Sequence, residues 1–230
     1  MAKKRLTVKQ KRQLELAIIF SVALLSLLLW NTVLIYPVKL FVVLIHEISH
    51  GIFTILTGGK VVSIELDSYL GGGCISKGGI PWVIASTGYL GSIAVGALLF
   101  ISAYKHNFSL WFCSILAVIL IVFIVNSLTG TLAIIFSIII AVILLVSPRF
   151  FPRVVHSYMM KILGLVSCMY VIIDIKDDLL SSSYGGTDAQ LLTYHTGVPA
   201  YMWGWIWFII SIAVLFFLIR YGHKKGLTKK

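Results

Sequence analysis

Between Val38 and Thr57 the chain reads VKLFVVLIHEISHGIFTILT. A helix of about 20 residues is what crossing a hydrocarbon core of roughly 30 Å requires, and this stretch is apolar nearly throughout. In its middle, however, stand His46, Glu47 and His50. Positions i and i+4 share one face of a helix, so both imidazoles can point at a single metal ion. Glu47, one residue on from His46, then lies near enough to reach a water on that metal. Ionisable side chains at membrane depth are costly to insert and mark functional sites. Three of them in H-E-x-x-H register read as a metal centre, and zinc suits the pair of histidines.

The rest of the chain has the same character. Its 230 residues are 59% hydrophobic and only 12% charged, with a mean hydropathy of +1.01. Soluble domains carry roughly 25% charged residues, so too few charges are present here to cover a water-facing surface. The expectation is an all-α polytopic membrane protein with six or seven transmembrane helices, placed in the cell membrane. The net charge of +11 does not indicate nucleic acid, because 6 of the 19 Lys and Arg lie in Lys3–Arg12 and 5 in Arg220–Lys230. Basic residues flanking apolar segments fix orientation and meet anionic headgroups; the partner they imply is the lipid bilayer. Cys74, Cys113 and Cys168 are widely spaced, form no CxxC pair and read as free thiols.

Working outward from the second helix, Leu14–Tyr36 reads as a first crossing ended by Pro37. A basic cytoplasmic tail at 1–13, a membrane-embedded domain at 14–221 and a second basic tail at 222–230 divide the chain. After Gly58-Gly59, Val61–Leu66 alternates loosely, Gly71-Gly72-Gly73 makes a turn and Cys74–Lys77 follows, which predicts a small β-hairpin over about 60–79. Pro81–Tyr104 is apolar, with Gly88, Gly91 and Gly96 allowing close helix approach. Phe108–Val146 is too long for one crossing and breaks at Asn126–Gly130 into two. His156–Leu180 forms a further helix with a polar end, Ser181–Pro199 a polar connection, and Ala200–Tyr221 the last crossing, with Trp203, Trp205 and Trp207 as an interfacial belt. His106, His156 and His223, beside basic residues at segment ends, read as interfacial.

A catalytic zinc holds three protein ligands and one open position, so two histidines leave one ligand to find. Asp174 lies deepest in apolar sequence, after Val171-Ile172-Ile173, and is the first choice. Asp178, one turn on, suits a carboxylate behind a histidine or the ligand itself, with Asp177 beside it as a further alternative. Asp188 and His195 read as loop residues. The connections after His50 and after Asp174 follow at similar distances, which predicts that these two helices run in the same direction. With the N-terminal tail cytoplasmic, the second helix would return to the cytoplasm, and a polar entrance to the site would open there.

The same residues carry a family resemblance. His46-Glu47-Ile48-Ser49-His50-Gly51, Thr57-Gly58-Gly59, the glycine-rich hairpin, Ala85–Ser92, Asp174–Leu179 and Thr187-Asp188-Ala189 together resemble the compact membrane metallopeptidases related to site-2 proteases. The match spans Val38 to about Trp207. The resemblance implies a zinc-dependent endopeptidase acting on membrane-associated protein or peptide substrates within or beside the bilayer. His46 and His50 would be ligands, Glu47 the catalytic base, and a carboxylate from a later helix the third ligand. Two other classes share parts of this pattern: a transporter or metal-permeation protein, and an inactive scaffold keeping the metal motif. A transporter more often shows internal repeats and polar residues spread over several helices, whereas here they cluster on two. The oligomeric state has no signature in the sequence.

Overall fold

The computed structural model describes residues 6–180 and 187–227, and for 176–180 the backbone alone. Among them are eight helices and one two-stranded antiparallel sheet, in the order α1 (Val8–Leu28), α2 (Tyr36–Leu56), β1 (Lys60–Leu66), β2 (Gly72–Lys77), α3 (Pro81–Ser102), α4 (His106–Asn126), α5 (Thr131–Phe150), α6 (Arg153–Leu180), α7 (Asp188–Thr196) and α8 (Ala200–Lys225). Six of the helices, α2 to α6 and α8, are long and apolar enough to cross a membrane, and the protein is a multi-pass integral membrane protein.

The expected first crossing, Leu14–Tyr36, is not among those six. Its helix begins earlier, with Thr7 and Gln10 forming a reciprocal N-terminal cap, and stops at Leu28. It carries Lys9, Lys11, Arg12 and Glu15, too many charges for an apolar span. Pro37 does not end that helix; it occupies the first turn of α2, where its missing N–H has no intrahelical partner to lose.

Local sequence signals placed the hairpin and the α4–α5 break correctly. Asp67 Oδ1 accepts from the N–H groups of Tyr69 (2.7 Å) and Gly71 (2.9 Å), which closes the turn between β1 and β2. Ile64 is fully buried and clips the hairpin to the α4–α5 turn: its N–H donates to Ser127 O at 2.8 Å, and its carbonyl accepts from Thr129 N–H at 2.9 Å. Gly130, at φ +81, lets the chain reverse into α5. The Trp group departs from a simple belt. Trp205 is exposed, whereas Trp207 is buried and packs on Tyr89 of α3 at 4.6 Å between centroids.

The two ends of the bundle differ in charge. At one end the junctions α3–α4 and α5–α6 are joined by His156, which is buried and not interfacial. Its Nε2 meets Ser109 Oγ at 2.6 Å and its Nδ1 meets Ser147 Oγ at 3.1 Å. Nearby, Glu15 of α1 accepts from Lys161 Nζ of α6 and from Tyr104 Oη, each at 2.5 Å. The end of α8 comes to the same place, since a Cβ on Gly226 would lie 3.6 Å from Arg12 and Lys11. The described parts of both basic segments therefore share one end, together with Lys105, Arg149 and Arg153. An even number of spans satisfies this. At the opposite end are the α2–α3 junction with its hairpin, α7 and the start of α8, where Lys60 and Lys77 are the basic residues of the hairpin.

Applied to this arrangement, the positive-inside bias predicts a cytoplasmic tail end with the hairpin end on the other side, opposite to the orientation expected from the sequence. In a Cys74→Ser background, an impermeant thiol reagent added outside intact cells is expected to label Thr196→Cys and to spare Asn107→Cys until the cells are opened. The opposite pattern would restore the orientation expected from the sequence.

Candidate metal centre

Helix α2 is the most enclosed of the spans because both its ligand face and its flanks are covered. Helix α3 closes on it through glycines. A Cβ on Gly88 would lie 2.2 Å from His46 Nε2 and 2.5 Å from His50 Nε2, and one on Gly91 would lie 2.1 Å from Ser49 Oγ. Gly96 makes the same close approach on the other side, against Gly164 and Ser167 of α6. The reading of these glycines as sites of helix approach holds, and Gly88 leaves the space in which the two imidazole tips sit. Strand β2 covers Glu47, for a Cβ on Gly72 would lie 2.7 Å from its Oε1.

His50 Nδ1 is 2.8 Å from the carbonyl of Ile84 in the first turn of α3. A carbonyl only accepts, so Nδ1 carries a proton and Nε2 is the ring nitrogen turned inward. His46 Nε2 and His50 Nε2 both face one carboxylate oxygen, Asp188 Oδ2, at 3.0 and 3.2 Å. Ligand atoms of these three residues lie within 4.8 Å of one another, the spacing of a group able to hold a metal ion. Burial alone would raise the Asp188 carboxyl. The facing imidazoles, His50 foremost, hold it below the usual carboxylate range.

The carboxylate that faces both imidazoles thus comes from a residue that the sequence reading treated as loop. Asp188 opens α7, capped by Thr187 and Gln190 in the reciprocal S/T-x-x-E/Q pattern. That pattern is visible in the sequence and would have marked a helix start there. Asp174, the first choice, lines the same cavity, and there its Oδ2 accepts from Tyr89 Oη at 3.2 Å. The ring edge of Tyr89 in turn meets His46 at 4.8 Å between centroids. The side chains of Asp177 and Asp178 lie outside the described residues.

The cavity around these groups measures about 730 Å³ and opens at the hairpin end, between Gly71–Cys74, the start of α3 and α7. His195, two turns after Asp188, lies at its wall. Cys74 does too, and its thiol is pushed up to about 12 by burial and by the facing carboxylates of Glu47 and Asp188. All three cysteines are free.

A polytopic membrane protein with H-E-x-x-H on a buried span and a carboxylate closing the site belongs to the membrane metallopeptidases as a class. The family model for Peptidase M50B-like proteins matches residues 19–218, and the chain belongs to this family, the membrane metallopeptidases related to site-2 proteases. No curated protein and no solved structure shows a significant match to it.

The role of Gly88 is directly testable. Gly88→Ala places a methyl group where both Nε2 atoms lie, so metal affinity is expected to fall by at least the roughly 10- to 100-fold that loss of a residue supporting a ligand costs. Isothermal titration of the purified protein with zinc measures this, and Gly73→Ala, whose Cβ meets nothing within 4 Å, is expected to bind as the wild type does.

Proposed function

We propose that the protein is a zinc-dependent endopeptidase that hydrolyses peptide bonds of membrane-associated substrates. The observation that carries this reading is the convergence of three ligand atoms. The Ile84 carbonyl orients the ring of His50, and its Nε2 stands beside His46 Nε2 and Asp188 Oδ2. Two imidazole nitrogens and one carboxylate oxygen are the donors a catalytic zinc takes with a fourth position open. The donors fit, and His46, His50 and Asp188 would hold the ion. When bound, zinc would lower the pKa of a water towards about 7 and polarise the scissile carbonyl.

The remaining chemistry belongs to the chain. Glu47, next to His46 and roofed by β2, takes the proton of the attacking water and delivers it to the leaving amine. Strand β2 covers its carboxylate on one side, and the cavity that Glu47 lines gives water access on the other. The edge of β2 at Gly72–Cys74 lies along the cavity, while Ile64 of β1 is joined to Leu128 on the far side. An unwound substrate segment can therefore add to β2 as a further strand, which replaces the hydrogen bonds it loses on leaving a helix. Asp174, through Tyr89, supports the ring of His46.

Glu47→Gln keeps the shape of the side chain and removes its basicity. Cleavage of an unstructured fluorogenic peptide in detergent micelles is expected to vanish with bound zinc, measured by elemental analysis, unchanged. Retained cleavage would remove Glu47 from the reaction, and absence of cleavage in the wild type as well would favour the scaffold reading.

A further inference from the structure

At the tail end of the bundle, remote from His46 and His50, a second cavity of about 530 Å³ opens between the α3–α4 junction, the α5–α6 junction and the last turn of α8. Its wall carries His106, Arg149, Arg153, His156 and Lys225 and, among the described residues, no carboxylate. The acidic residue nearest this end, Glu15, is fully buried and is held by Lys161 and Tyr104, so it does not neutralise the cavity.

The donors are set in place by the fold. Arg149 Nη1 donates to Leu145 O at 2.7 Å and Nη2 to Ser114 Oγ at 2.8 Å, which orients the guanidinium and leaves its other N–H groups unused. Both ring nitrogens of His156 are occupied by serines. Arg153 opens α6 and Lys225 closes α8, and neither has an ion-pair partner among the described residues. Three permanent cations around one concavity repel one another and create a strong positive potential, which an anion would offset. Arginine groups match the tetrahedral oxygens of a phosphate in fixed, bidentate geometry.

Position narrows the source of that phosphate. The cavity wall is made of the terminal residues of membrane spans, the level at which headgroups lie, and Phe151 at its rim and Phe150 beside it are exposed. A free phosphate would use the basic groups and leave the phenylalanines in water; a phospholipid would use both. We propose that this cavity binds the phosphate group of an anionic phospholipid from the surrounding leaflet.

The full chain in phosphatidylcholine nanodiscs doped with phosphatidylglycerol tests this, with retained lipid counted by native mass spectrometry. Wild type is expected to retain phosphatidylglycerol in preference to phosphatidylcholine, undisturbed by excess inorganic phosphate. The double variant Arg153→Gln/Lys225→Gln is expected to lose that preference by about thirtyfold, since each basic residue near an anionic surface contributes on a scale that multiplies to this factor for two. Lys60→Gln/Lys77→Gln, which removes the same charge at the opposite end, is expected to retain it. Equal retention by all three proteins would overturn the proposal, and displacement of phosphatidylglycerol by inorganic phosphate would overturn the lipid source. Should circular dichroism show the double variant unfolded, Arg153→Gln alone in the same measurement decides.

Discussion

Three ionisable side chains clustered on a largely buried membrane helix have to be satisfied chiefly by protein groups, and most of the structure around α2 answers that requirement. The backbone carbonyl of Ile84 takes one imidazole proton, the carboxylate of Asp188 faces both Nε2 atoms, and β2 closes over Glu47. Each of these contacts depends on close approach, and glycine provides it: Gly88 at the imidazoles and Gly72 at the carboxylate. Polar groups paired in low dielectric are rigid as well as stable, so satisfying the cost of burial also orients the ligands.

The opposite end of the bundle follows the same logic with other residues. His156 is buried among serines, and Glu15 is buried against Lys161 and Tyr104. This second polar cluster ties α1 to α6 and to the α3–α4 junction, and brings the basic segments to one side. A molecule with its basic residues gathered at one end and its reactive groups opening at the other presents different surfaces to the two compartments.

What could be read from the sequence was what local residues decide. H-E-x-x-H, the Gly71–Gly73 turn and the Asn126–Gly130 break are short-range signals, and each stands in the structure where it was expected. Pro37 misled because proline ends one helix and begins another with equal ease, and the charges of Lys11, Arg12 and Glu15 should have decided between the two. The place of Asp188 depends on a contact 142 residues away in sequence, which no local pattern encodes. The depth argument that favoured Asp174 was right about its neighbourhood, since it lines the same cavity. It did not anticipate Asp188, which a short helix after the span brings up to the two imidazoles. The capping pattern Thr187–Gln190 announced that helix but not its destination.

The central claim is that His46, His50 and Asp188 together hold a zinc ion. Elemental analysis of purified wild type, Asp188→Asn and Asp174→Asn, each loaded with zinc and dialysed, tests it most directly. Near-stoichiometric zinc is predicted in the wild type and in Asp174→Asn, and loss of most of it in Asp188→Asn. Full zinc in Asp188→Asn with loss in Asp174→Asn would contradict the account and make Asp174 the ligand.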